Sequence, residues 1–197
     1  MAGLDVSTVT AQRRRQLGPL VEYVQQKVGN AQDIPLLFIC THNSRRSHLA
    51  QIWAQALAHN LGVGRLASYS GGTQVTALHP MIREILEGTG FEFRRIRGGN
   101  NPIHAIRFSE GAHPVMGYSK KWDDPFNPRT GFAAVMTCSQ ADLGCPIVPG
   151  AELRVSMNFD DPKAYDHGPN QAEKYRECSL GIATELYYVL GRVARNP

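Results

Sequence analysis

IPLLFIC THNSRRS HLAQIWAQALAHNL, Ile34 to Leu61, is the stretch whose reading decides the rest. Leu36, Leu37, Phe38 and Ile39 form a short continuous apolar run, and from Thr41 to Ser47 the chain turns polar and cationic. A run of that length closed by a polar turn predicts a buried strand. Leu49, Ile52, Trp53, Leu57 and Leu61 then recur at spacings of three and four, one stripe of an α-helix, with Ser44 or Ser47 as its N-cap. The predicted order is strand, loop, helix.

Such a loop collects unpaired backbone N–H groups and the positive end of the helix dipole, which together seat an oxyanion. Cys40 stands at its mouth, where amide dipoles and the charges of Arg45 and Arg46 favour a thiolate. Arg46 follows six residues after Cys40, and a guanidinium fork holds two oxygens of a tetrahedral anion at once. Cys40 is therefore the candidate nucleophile. Thr41, His42, Asn43, Ser44, Arg45, Arg46 and Ser47 are the candidate oxyanion-binding residues.

Working outward, 197 residues with 42% hydrophobic content suffice for one sizeable core. Residues 1–33 precede the first strand and read as a helical extension on Leu17, Leu20, Val21, Val24 and Val28, with Pro19 just inside its start and Gly29-Asn30 as its stop. Residues 34–197 read as the catalytic domain. Arg65 to Ser70 is a second strand, Met81, Ile82, Ile85 and Leu86 a second helical face, and Phe132 to Thr137 a third strand ending at Cys138. Glu152 to Phe159 alternates as a fourth strand, and a long helix carries Tyr175, Cys178, Ile182, Leu186, Leu190 and Val193. Alternating strands and helices with short links predict a three-layer α/β/α fold around a four-stranded parallel sheet. An insertion at about 98–131 precedes the third core strand; in it His104 to Phe108 and Val115 to Tyr118 pair as a hairpin, while Phe91 to Arg95 reads equally as strand or loop.

The carboxyl ends of parallel strands are where ligands sit. Asp161 arrives there just before Pro162, placed to protonate a departing oxygen and also to cap the next helical turn. Cys138 and Cys145 lie seven apart, with Gly144 and Pro146 beside Cys145, a loop setting in which two thiols can change partners. Cys178 falls on an apolar stripe and reads as packed core. A net charge of +4 helps an anionic substrate approach, but nothing resembles a nucleic-acid motif. No apolar run is long enough for a bilayer or a signal peptide, so the expectation is a cytoplasmic protein whose four cysteines are reactive or buried. Neither the cysteines nor the seven histidines show ligand spacing, so no metal and no cofactor is expected.

Cys40-Thr-His-Asn-Ser-Arg-Arg46-Ser47 resembles the Cys-x5-Arg-Ser phosphate loop of the low-molecular-weight protein tyrosine phosphatase superfamily. Within it, Cys138, Cys145-Pro146, Pro149 and Phe159-Asp-Asp161-Pro162 resemble, in order and spacing, the thioredoxin-coupled arsenate reductases. The resemblance runs from about Pro35 to Pro162 without the insertion, and it implies a mechanism. Cys40 attacks arsenate held by the loop and Arg46, and Asp161 protonates the leaving oxygen. Cys138 then attacks Cys40 and releases arsenite, and Cys145 closes a Cys138–Cys145 disulfide that a thioredoxin-like reductant opens. There are departures: His42 stands where the loop usually has Gly, Arg45 where the reductases commonly have another Cys, and Gln51 replaces a Glu of a potassium site that Asn43 and Ser70 otherwise match. One rival reading is a protein tyrosine phosphatase, which needs only Cys40, Arg46 and Asp161. Against it, Lys163, Ala164 and Tyr165 set a single aromatic one residue late after Asp-Pro. The other rival is a non-catalytic oxyanion or phosphoprotein-binding module.

Overall fold

In the computed structural model, which describes residues 3–144 and 147–194, the strands are β1 (Ile34–Cys40), β2 (Leu66–Gly72), β3 (Glu92–Arg97), β4 (Ile103–Arg107), β5 (Val115–Gly117), β6 (Phe132–Met136) and β7 (Ala151–Ser156). The helices are α1 (Ala11–Gly29), α2 (Arg46–Asn60), α3 (Pro80–Glu87), α4 (Ser139–Gly144) and α5 (Gln171–Ala194). Four strands pair in parallel in the order β2-β1-β6-β7. Cys40 lies opposite Gly72, Ile39 opposite Met136, and Met136 opposite Ser156, so all four strands end along one edge.

The unbroken apolar text of β1 follows from its place in the middle of that sheet, covered on both faces. Leu36 and Phe38 join a large core with α1, α2, α3 and α5, whereas Leu37 and Ile39 point the other way, toward Ala141 of α4, Val148 and Trp122. The result is the three-layer α/β/α arrangement expected, with the second helical layer reduced to the short α4.

Two local expectations change. Helix α1 begins at Ala11, well before Pro19, because Thr10 caps it: the Thr10 hydroxyl accepts the Arg13 N–H at 3.2 Å. The apolar stripe starts only at Leu17, which hid the polar opening turns from a reading by periodicity. Arg13 then ties the helix down, pairing with Glu185 of α5 at 2.7 Å and donating to the Asn158 carbonyl at 2.9 Å. The second change is that residues from Glu92 onward form an antiparallel sheet, β3-β4-β5, in which β4 and β5 are the expected hairpin and β3 settles the undecided stretch as strand from Glu92 on, leaving Phe91 outside it. Gly72 and Lys121 make a parallel bridge that ties the segment after β5 to the main sheet. Among the described residues no helix is long and apolar enough to cross a membrane.

Candidate active site

Only five residues separate the end of β1 at Cys40 from the start of α2 at Arg46, so the loop must turn sharply. Asn43 makes the turn, with φ at 43° in the left-handed region that Asn tolerates better than most side chains. His42 does not adopt that conformation, which explains why this chain manages without a glycine there. Gly72 supplies the room: a Cβ on it would stand 2.7 Å from the Asn43 nitrogen and 2.8 Å from the Thr41 carbonyl oxygen.

The buried Asn43 carboxamide is wired toward Cys40. Its Oδ1 accepts the Lys120 backbone N–H at 2.8 Å and its Nδ2 donates to Ser47 Oγ at 2.9 Å. Ser47 Oγ is 3.1 Å from Cys40 Sγ. Ser47 Oγ thus links the Asn43 amide to the Cys40 sulfur in one buried chain of hydrogen bonds.

Neither Ser44 nor Ser47 caps α2. Arg45 occupies the cap position without a side-chain hydrogen bond, since Ser47 serves Cys40 instead. Among the described residues the backbone N–H groups of 42–45 donate to no acceptor in the protein. A helix start left open in this way offers its donors to an anion.

The two loop arginines do different work. Arg46, 6% exposed, donates to the Phe159 carbonyl at 2.8 Å and to Asp161 Oδ2 at 2.5 Å, and its Nε has no hydrogen-bond partner. Asp161 also caps the helical turn Pro162–Tyr165 by accepting the Lys163 N–H at 3.0 Å, the capping role expected of it. Arg45 lends the loop its backbone, but its guanidinium turns to Asp166 at 2.6 Å and to the Tyr175 hydroxyl at 2.5 Å, while that hydroxyl donates to the other Asp166 oxygen. Burial pulls the Asp166 carboxyl up, but the Tyr175 hydroxyl and the Arg45 charge outweigh it and hold it below its usual range. His79 stacks on Tyr175 with ring centroids 5.4 Å apart, and burial and then the Arg45 charge push its imidazole down.

Cys138 follows β6, is 1% exposed, and lies beside the loop: its Sγ is 3.5 Å from Thr41 Oγ1 and accepts the Ala141 N–H at 3.4 Å. Cys40 and Cys138 belong to one small apolar cluster, and both are free thiols. Cys145 lies outside the described residues. Cys178, by contrast, is held as a thiol, pushed up to about 12 chiefly by burial. Helix α4, which carries the chain away from Cys138, is pinned to β7 and its exit by Asp142, whose carboxylate accepts from Arg154, Ser156 and Asn158.

Behind the loop, His48 Nδ1 is 3.3 Å from Ser70 Oγ, and burial followed by the Lys120 charge pushes its ring down to about 3. Lys120 is 2% exposed; its ammonium lies over the faces of Tyr118 and Phe126 at 4.4 Å and 5.5 Å and has no hydrogen-bond acceptor. Gln51 donates its amide to the Ser68 carbonyl at 3.1 Å. A buried ammonium and an amide donor, with Asn43 committed to Lys120 and Ser47, do not fit the potassium site that the resemblance to some reductases implies. Among the described residues no group of three His, Cys, Asp or Glu is placed to hold a metal.

Sequence reasoning missed the strap formed by Ser119 and Lys120, whose Ser119 hydroxyl donates to the His42 carbonyl at 3.0 Å, and the Arg45, Asp166 and Tyr175 triad. Nothing local in the sequence signals either.

A low-molecular-weight phosphotyrosine phosphatase of Vibrio cholerae O395 superposes with a TM-score of 0.54 at 15% identity, over 83% of this chain and 97% of that one. The fold is that of the low-molecular-weight protein tyrosine phosphatases. An arsenate reductase in its phosphate-binding state shares that fold, with a TM-score of 0.50 and 17% identity over 81% of this chain and 98% of the other. The relatives of this phosphatase-fold chain by sequence are arsenate reductases. That of Staphylococcus aureus (strain Newman) is 27% identical over 128 residues, 64% of this chain and 77% of that protein. Arsenate reductase 2 of Staphylococcus epidermidis (strain ATCC 35984) is 24% identical over 127 residues, with the same shares covered. No protein-family model matches the chain.

Proposed function

We propose that this protein is an arsenate reductase whose nucleophile is Cys40. The observation that carries the reading is the burial of a second thiol, Cys138, beside the nucleophile's loop, where a phosphatase has no use for it. Arsenate enters the seat of open N–H groups and is gripped by Arg46. The Cys40 sulfur attacks arsenic, and the oxygen that departs leaves as water with a proton from Asp161. Cys138 then attacks Cys40 Sγ. As the sulfur–sulfur bond forms, the electron pair of the sulfur–arsenic bond stays on arsenic, which leaves as arsenite. Cys145 displaces Cys40 from Cys138, and the Cys138–Cys145 disulfide passes its oxidation to a thioredoxin-like reductant.

A phosphatase is the second reading. Tyr165, 44% exposed, lines the same cleft wall as Asp161, where it can flank an aryl phosphate. A coupled assay with arsenate, thioredoxin, thioredoxin reductase and NADPH separates the two. Arsenate-dependent NADPH oxidation is expected for the wild type and is lost in Cys138→Ser and in Cys145→Ser, whereas p-nitrophenyl phosphate hydrolysis depends on Cys40 alone. Brisk hydrolysis without NADPH oxidation would replace the reductase by the phosphatase.

A further inference from the structure

The added sheet β3-β4-β5 ends in a bare edge. Strand β3 pairs with β4 on one side and, among the described residues, with no strand on the other. Along it run Arg94, Arg95 and Arg97, all exposed and none in an ion pair among the described residues, with Ile96 60% exposed between them. The flanking arginines are neutralised, Arg83 by Glu87 at 2.9 Å and Arg107 by Glu92 at 3.4 Å, so the uncompensated charge is concentrated on this strand. At its far end the hairpin reaches the active-site rim: Asn101 exchanges two hydrogen bonds with Ser119, at 2.7 Å and 3.0 Å, and Ser119 holds the His42 carbonyl.

From this placement we infer that the outer edge of β3, Glu92–Arg97, is a docking strand for an extended acidic segment of a partner protein, which adds to the sheet as a further strand. Six residues span about 20 Å, room for a peptide of similar length. The main-chain groups on that edge supply the pairing, and the arginines select carboxylate or phosphate side chains. Positive charge on an edge also discourages pairing with a second copy of this chain, and the same repulsion favours an acidic partner. A nucleic acid fits less well. Edge amides and carbonyls pair with another backbone, and the exposed apolar side chain here is aliphatic Ile96, which offers no ring for bases to stack on.

The docking strand is independent of the Cys40 chemistry, so its test uses binding. Fluorescence anisotropy of a labelled peptide of alternating glutamate and valine should show saturable binding to the full-length protein. Affinity should fall by roughly tenfold or more in R94E/R95E/R97E and decline as salt is raised. Amides of residues 92–97 should gain protection from hydrogen exchange when the peptide is present. Hydrolysis of p-nitrophenyl phosphate should be unchanged in the variant. The same peptide N-methylated at alternate amides keeps its charge but cannot pair, and should bind at least roughly tenfold more weakly. Equal affinity of the methylated peptide overturns strand addition. Tighter binding of a labelled RNA of equal charge overturns the choice of partner, and unchanged affinity in the variant overturns the site itself. Should the triple variant fail to fold, the methylated peptide against wild-type protein still decides.

Discussion

Lys120→Met asks what a buried ammonium without a hydrogen-bond acceptor does to the fold. Burial pushes Lys120 from its ordinary 10.5 down to about 8, against a smaller upward pull from Asp124. At 1.36 kcal/mol per unit, keeping the charge buried at neutral pH costs about 3 kcal/mol relative to the unfolded chain. The faces of Tyr118 and Phe126 return some of that, roughly 1–2 kcal/mol for a desolvated cation over aromatic rings. Met fills nearly the same volume, keeps the backbone N–H that holds Asn43, and removes both effects. The variant should therefore be more stable than wild type at pH 7, by about 1–2 kcal/mol.

The sign against pH follows from the same numbers. Below about 8 both states of wild type carry the proton; between about 8 and 10.5 the unfolded chain holds more protons than the folded one, so stability rises with pH across that window. In the variant this rise is absent, and the stability difference between the two proteins shrinks as the pH climbs. Urea unfolding followed by tryptophan fluorescence at a series of pH values measures it. Parallel pH dependences for the two proteins, or a variant less stable than wild type at pH 7, would refute the reasoning by showing that the ammonium has a partner.

Other expectations follow from the site. Asp161→Asn keeps an acceptor for the Lys163 N–H but loses the proposed acid, and kcat should fall by roughly a hundredfold to ten-thousandfold in initial-rate assays. Tyr175→Phe strips one partner each from Arg45 and Asp166 and should lower stability by about 1–3 kcal/mol in urea titrations. Asp142→Ala unpins α4, so iodoacetamide should reach Cys138 faster by roughly an order of magnitude or more, read by mass spectrometry. In wild type the same loosening should come with acid. Burial raises the Asp142 carboxyl, but hydrogen bonds from Ser156 and Asn158 and the Arg154 charge more than offset that and lower it from its ordinary 3.8; the stability it gives is present above that value and lost as pH falls through the lowered one.

What could be read from the sequence was what neighbours in the chain determine. A central strand must be apolar on both faces, and the stripe from Leu49 to Leu61 has only one way to pack, so β1, the loop and α2 were legible together. The Asp161 cap was legible because Pro162 fixes a helical start immediately after it. The misreadings share a cause. Ser47 looked like a cap until Cys40 came within 3.1 Å of it, and the Arg45 guanidinium, read as charge beside Cys40, went instead to Tyr175, 130 residues away in the chain, at 2.5 Å. Polar side chains at a loop choose partners by tertiary proximity, and no periodicity records that choice.

The pairing of Arg46 with Asp161 constrains how the site is entered. In the free protein the carboxylate occupies the guanidinium that the proposed oxyanion substrate would use. An incoming anion must take over at least one of those N–H groups, and the buried Nε, without a hydrogen-bond partner, is a donor it can use without a contest. The Arg45 guanidinium cannot take part in this exchange while Asp166 and Tyr175 hold it, which leaves Arg46 as the loop's cationic partner for the proposed substrate. An Asp161→Asn protein should therefore bind the unreactive oxyanion sulfate more tightly than wild type, since sulfate no longer competes with a carboxylate for Arg46. Equal or weaker sulfate binding by isothermal calorimetry would show that the two do not compete.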